Sequence, residues 1–207
     1  MRVLSASDPR VLQQAIKILK DGGIIVYPTE TSYGLGGDWT RASVHRRIMA
    51  IKGRPVGKQL SVIVSSLSSA ERYVRFNRVA RALARKFWPG PLSLVLPLKK
   101  SKNTLSLRVS PHPFASRLVR SLGRPLIATS ANISGSETLY HAEAVFKEFQ
   151  DRHARPDLII DAGNLPRRRP STVARVHEDG FIEVLRQGPI SISKLRTQIS
   201  KPQLKTR

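Results

Sequence analysis

Ile24-Ile25-Val26-Tyr27, followed at once by Pro28-Thr29-Glu30-Thr31-Ser32-Tyr33-Gly34-Leu35-Gly36-Gly37, is the stretch that decides the architecture. Four apolar residues, three of them β-branched, are bounded by Asp21-Gly22-Gly23 before and Pro28 after, and read as a buried strand. A strand that opens into a loop rich in glycine and hydroxyl groups is the arrangement in which open α/β folds present their ligands. The hydroxyls of Thr29, Thr31 and Ser32 are suited to orient a polar substrate, and the glycines permit close backbone approach. A purely structural turn accounts for the same residues equally well. The loop is not a nucleotide-binding P-loop, because no Gly-Lys-Ser/Thr closes it.

Working outward, the pattern alternates helix and strand. Asp8 is a natural N-cap, with Pro9 at the first helical position, for a helix over 8–20 whose apolar face is Val11, Leu12, Ala15, Ile16 and Leu19. Beyond the loop at 28–39 the spacing predicts a helix over 43–51, a strand over 60–64 and an amphipathic helix over 77–87. Trp88-Pro89-Gly90-Pro91 ends that helix before strands at 92–96 and 105–109. A helix at 114–122, a strand at 126–129, a helix at 142–150 and a strand at 158–160 follow. Segments 171–176 and 181–185, joined through Asp179-Gly180, read as a late hairpin. The sum is an α/β fold in one domain over 1–190, with a basic C-terminal tail over 191–207 expected to fray.

The chain has 207 residues, long enough to bury a substantial core. It carries 36 lysines and arginines against 14 acidic residues, a net charge of +22, which favours a polyanionic partner through counterion release. A solubility adaptation would produce the same balance. Cysteine is absent, so disulfides and thiolate metal sites are excluded. No apolar run is long enough to span a bilayer, and Met1–Arg10 lacks the apolar core of a signal peptide, so a cytoplasmic protein is expected. The five histidines, His45, His112, His141, His153 and His177, are scattered at no metal-ligand spacing, so no protein-held metal is expected.

Two further stretches carry chemistry. Lys52-Gly53-Arg54-Pro55-Val56-Gly57-Lys58 sets three cations on one short loop, where an extended backbone lets Lys52 and Arg54 converge from one side. Arginine offers a bidentate fork to phosphate or carboxylate, and lysine a compact point charge. Solvated surface charge is the bland alternative. Thr129-Ser130-Ala131-Asn132-Ile133-Ser134-Gly135 follows the strand near 126–129 and offers donors and acceptors for positioning. Neither Ser130 nor Asn132 reads as a nucleophile, because no base lies in the motif and the Gly-x-Ser-x-Gly elbow is missing.

PTETSYGLGG, KGRPVGK, WPGPLSLVLP, LRVSPHP and TSANISG, in that order and spacing, resemble the YrdC/Sua5 family of threonylcarbamoyladenylate synthases over roughly residues 15–188. The resemblance implies a YrdC/RibB-like fold, an open twisted mixed β-sheet flanked by helices around a central basic cavity. It implies a reaction joining L-threonine, bicarbonate and ATP into threonylcarbamoyl-AMP with release of pyrophosphate. A separate transferase complex then moves the threonylcarbamoyl group onto adenosine 37 of tRNA. The family's Lys-x-Arg … Ser-x-Asn signature falls on Lys52, Arg54, Ser130 and Asn132, with Lys52 and Arg54 catalytic and all four at the nucleotide. By the same carry-over Lys58, Thr104, Thr138 and Arg186 lie near the nucleotide, and Thr31, Arg108 and Ser171 near threonine. Mg²⁺ is expected to arrive with ATP. Lys58 stands where some relatives have Asn, and Ser32 where many have Val.

Basic clusters lie outside these motifs: Arg75, Arg78, Arg81 and Arg85; Lys99, Lys100 and Lys102; Arg167, Arg168 and Arg169. They suit tRNA or another RNA, and also suit a plain solvated face. A non-catalytic RNA-binding protein on the same fold is therefore the alternative reading. The intact signature opposes it, and the charge supports an added binding role.

Overall fold

The computed structural model describes residues 1–55 and 60–197, in seven helices and eleven strands among those residues. In chain order they are β1 (Arg2–Ser5), α1 (Val11–Lys20), β2 (Ile25–Pro28), β3 (Tyr33–Gly36), α2 (Ala42–Lys52), β4 (Val62–Ile63), α3 (Leu67–Glu71), α4 (Arg78–Phe87) and β5 (Leu92–Pro97). There follow β6 (Thr104–Arg108), α5 (Pro113–Leu122), β7 (Leu126–Ile127), β8 (Thr129–Ser130), α6 (Ala142–Phe149), β9 (Leu158–Asp161), β10 (Thr172–Val176), β11 (Ile182–Arg186) and α7 (Ile192–Arg196). The fold class is mixed α/β, with the strands in mixed sheets flanked by helices. The chain divides into two compact units, Met1–Ile63 with His112–Arg168, and Val64–Pro111 with the residues from Arg169 onward.

The first unit is organised by a sheet in the order β1-β9-β2-β3-β8, parallel from β1 to β2 and antiparallel from β2 to β8. All four residues of β2 are buried, as the opening stretch predicts. The sequence places a long loop after it, but the chain turns back at once into β3, pairing Pro28 with Tyr33 and Ile25 with Gly36. Glycine makes this pairing possible: a Cβ on Gly36 would collide with the Ile127 carbonyl oxygen. Close approach is required here by neighbouring protein strands.

Val11, Ala15 and Leu19 of α1 and Phe114, Leu118 and Leu122 of α5 pack in one core with Ile25, Tyr27, Leu158 and Ile160. Each large side chain so buried contributes about 1.5–3 kcal/mol. Helix α1 starts later than its sequence suggests. Asp8 binds the Arg10 N–H at 2.8 Å through its carboxylate and the Val11 N–H at 3.1 Å through its carbonyl, so it forms a turn ahead of the helix.

The second unit holds strands in the order β11-β10-β5-β6, with β10 parallel to β5 and the other pairs antiparallel. The predicted hairpin of β10 and β11 is present, and Gly180 at φ 89° supplies the left-handed residue of its turn. Helix α4 is capped by Asn77, whose side chain accepts the Ala80 N–H at 2.9 Å, and packs Val79, Ala80, Leu83 and Ala84 inward. Short elements escaped the sequence pattern: β1, α3 and β8 span four, five and two residues.

Candidate active site

Helix α2 ends one residue later than predicted, and that residue is Lys52. Gly53 is left-handed at φ 62°; its N–H binds the Ala50 carbonyl and the Arg54 N–H binds the Met49 carbonyl, the Schellman ending. Lys52 is therefore a helix terminus, and the extended loop expected from the sequence is absent at this point. The ending turns Lys52 inward and leaves it wholly buried, which rules out solvated surface charge for this residue.

The ammonium is directed at the end of β8 and the loop after it. Lys52 Nζ donates to the Ser130 carbonyl at 2.6 Å, to the Asn132 carbonyl at 2.8 Å and more loosely to Asn132 Oδ1 at 3.5 Å. The Ser130 hydroxyl donates to Asn132 Oδ1 at 2.5 Å, and Asn132 Nδ2 donates to the Ser136 carbonyl at 2.6 Å. The Ser134 N–H returns to the Lys52 carbonyl at 3.0 Å, and Arg54 Nε donates to the Ser134 hydroxyl. The four signature residues thus form one interlocked cluster, joining segments about eighty positions apart in the chain. Burial first, and Arg54 second, push the Lys52 pKa down to about 8, while Glu148 acts in the opposite direction. An ammonium with a pKa near 8 is mainly charged at pH 7 and sits where its charge is poorly solvated.

Thr31 belongs to the β2–β3 turn. Thr29 Oγ1 donates to the Ser32 carbonyl at 2.7 Å and receives the Thr31 and Ser32 N–H groups, each at 3.3 Å. The structural turn and the hydroxyl cluster are one object. Thr138 lies exposed beyond the signature loop, and Lys58 lies outside the described residues.

The remaining predicted residues belong to the second unit. Ser171 is buried with its hydroxyl 2.9 Å from that of Ser93, and it receives Arg186 Nη2 at 3.2 Å. Arg186 also donates to the Ser171 carbonyl through Nε at 3.1 Å and Nη2 at 2.9 Å. Partial burial, and then the charge of buried Arg108, lower the Arg186 pKa. Two guanidiniums near a serine pair concentrate positive charge in this part of the second unit. Thr104 begins β6 opposite Pro97, at the other end of the strand from Arg108, so it is separate from this group.

Sequence reasoning passed over Ser93, Ser136 and Glu148. Glu148 accepts the Ile133 N–H at 3.0 Å from a helix fifteen residues further on. No motif marks it, and only the packing of α6 brings it to the loop.

A buried lysine locked to a hydroxyl–amide loop, on a mixed α/β framework, is what the comparisons with known proteins have to account for. Residues 17–188 match the Sua5/YciO/YrdC family model, described as telomere recombination. The chain is 36% identical over 174 residues to a threonylcarbamoyl-AMP synthase of Chromobacterium violaceum, covering 79% of this chain and 88% of that one. It is 34% identical over 162 residues to the threonylcarbamoyl-AMP synthase of Psychromonas ingrahamii, covering 73% and 84%. P. abyssi Sua5, solved in complex with L-threonine, superposes with a TM-score of 0.82 at 31% identity; the match covers 91% of this chain and 57% of that protein. The chain belongs to the Sua5/YciO/YrdC family.

Proposed function

We propose that this chain is an L-threonylcarbamoyladenylate synthase. The threonine amine adds to the carbon of bicarbonate or its CO2, giving a carbamate with loss of water. A carbamate oxygen then attacks the α-phosphorus of ATP, and pyrophosphate leaves with the bridging electrons. The observation that carries this reading is the assembled Lys52, Arg54, Ser130 and Asn132 cluster, with the named relatives supplying the reaction.

The proposed roles combine the cluster geometry with what the family resemblance implies. Lys52 directs its donors into the loop, so it acts as a fixed positive charge and a clamp on the loop shape. The Arg54 fork is the group suited to phosphate oxygens, stabilising charge as it develops in transfer. Ser130 and Asn132 are proposed for the nucleotide side; Lys58, Thr104, Thr138 and Arg186 are assigned to the nucleotide by the family resemblance alone. Within the second unit, the buried Arg108 guanidinium and Ser171 are the groups suited to the threonine carboxylate, and Thr31 is assigned to threonine by the family resemblance alone. Mg²⁺ is proposed to enter as part of the ATP substrate.

The product serves a transferase that modifies tRNA, which puts the reaction in the cytoplasm. No helix among the described residues is long and apolar enough to cross a membrane. A specific observation favours RNA as a further partner. In the second unit, Arg75, Lys99, Lys100 and Lys102 line a groove of about 500 Å³ with Pro97, Ser101 and Glu178. Among the described residues lining it Glu178 is the one carboxylate, so the groove presents excess positive charge to a phosphodiester backbone.

The test is pyrophosphate release from ATP by the purified protein, with threonine and bicarbonate omitted in turn. Release that needs both supports the synthase. Absence of release in every combination rejects it and leaves the RNA-binding protein, whose affinity should fall steeply with salt.

A further inference from the structure

Ile133 lies between Asn132, which receives Lys52, and Ser134, which receives Arg54. Its backbone N–H is held at 3.0 Å by Oε1 of Glu148. Glu148 comes from α6, where Val145 and Phe149 are buried and fix the helix, so the carboxylate is delivered by the fold. Its neighbour Lys147 is turned away and paired with Glu143 at 2.7 Å, and among the described residues no cation forms an ion pair with Glu148. Among the described residues, the charged groups that act on the Lys52 ammonium are Arg54, just beyond the helix end, and Glu148 from α6.

We propose that Glu148 is a positioning residue of this site: it seats the Asn132–Ser134 loop through the Ile133 amide and supplies the counter-charge for the buried Lys52 ammonium. The proposal rests on the synthase reading and adds to it a residue outside the signature. The physical need is plain. A wholly buried ammonium beside a guanidinium is doubly penalised, by lost hydration and by repulsion from the like charge. The carbonyls of Ser130 and Asn132 contribute dipoles but no net charge. Glu148 contributes the negative charge and does so through the loop that those carbonyls belong to, so one side chain serves shape and electrostatics together.

Two substitutions separate the functions. Glu148→Gln keeps an acceptor for the Ile133 N–H and removes the charge; Glu148→Ala removes both. The Lys52 ammonium is followed by NMR of protein carrying ¹³Cε-lysine, its signal identified by loss in Lys52→Met, alongside the pH profile of pyrophosphate release. In Glu148→Gln the Lys52 signal is expected to titrate at lower pH than in the wild type. The alkaline decline in turnover should move with it, so that the ratio of rates at about pH 8.5 and pH 7 falls at least about twofold. Glu148→Ala should show the same displacement and lower turnover at every pH.

An unchanged Lys52 titration in Glu148→Gln overturns the proposal, as does equal loss in both variants with the wild-type pH profile, the mark of a merely structural residue. If the Lys52 signal moves while the wild type itself releases no pyrophosphate, the coupling of Glu148 to Lys52 stands and the synthase reading falls.

Discussion

Asp38 and Lys52 are both wholly buried charges of the first unit, and the chain treats them in opposite ways. Asp38 is fully answered. Arg124 Nη1 lies at 2.7 Å and Arg41 Nε at 3.6 Å, and Thr40 donates its hydroxyl at 2.6 Å and its N–H at 2.9 Å. Burial works to raise the Asp38 pKa, but the Thr40 and Arg124 contacts outweigh it and hold the carboxyl below its ordinary value. Lys52 has carbonyl dipoles in place of ion pairs; burial and the Arg54 guanidinium bring its pKa down to about 8, and Glu148 opposes them only in part. A charge satisfied on every side builds structure. One only partly answered keeps a strongly lowered pKa, the kind of perturbation that clusters at functional sites.

The comparison is broken most severely at Asp38. Asp38→Ala should cost about 3 kcal/mol in denaturant unfolding, because two threonine donors and two arginines lose a buried partner. Turnover per folded molecule should hold. The reverse pattern is expected for Lys52→Met: pyrophosphate release down at least about 100-fold, or about 2.7 kcal/mol in the barrier. Its stability should drop by less than about 2 kcal/mol, since unpaired carbonyls offset relief from a buried charge. Equal stability losses at the two sites would refute the distinction.

Arg54→Ala comes next, with turnover lowered about tenfold, roughly 1.4 kcal/mol. Unfolding should shift by less than about 1 kcal/mol, as the side chain is only partly buried and on a loop. Retained activity would remove Arg54 from the phosphates.

A pH series gives the finest separation, because the two signs differ. Asp38 has a lowered folded pKa, so its stabilisation is complete above its unfolded value of about 4 and is lost as pH falls through the folded one. Lys52 titrates near 8 when folded and near 10.5 when unfolded, so below pH 8 the folded chain bears the cost of a buried ammonium. Between about 8 and 10.5 that cost is relieved, and stability gains a rising component while turnover declines. Urea midpoints compared between wild type and Lys52→Met across that range should diverge in this direction.

Much of this was legible in the chain. The apolar run at Ile24–Tyr27, the helix faces and the Asp179-Gly180 turn follow from local periodicity and turn chemistry, and all of them stand. Lys52, Arg54, Ser130 and Asn132 were legible as residue types in a motif, and so was the family. The β2–β3 turn was harder: its hydroxyl-rich sequence suits a ligand loop, and only strand pairing shows Thr29 spending its hydroxyl on the turn. The strand read at 126–129 is present but divided into β7 and β8, which pair in different sheets, a split that two-residue strands have no periodicity to show.

The sequence by itself determined the α/β class, the basic character and the identity of the signature residues, because each is written in composition or in contiguous pattern. Tertiary structure alone decided that Lys52 ends a helix and is buried, that its donors meet carbonyls eighty residues away, and that Glu148 stands behind the loop. The reason is that hydrogen bonds and burial are properties of which atoms meet. Atoms so far apart in the chain are brought together by the packing of α2, β8 and α6 as a whole.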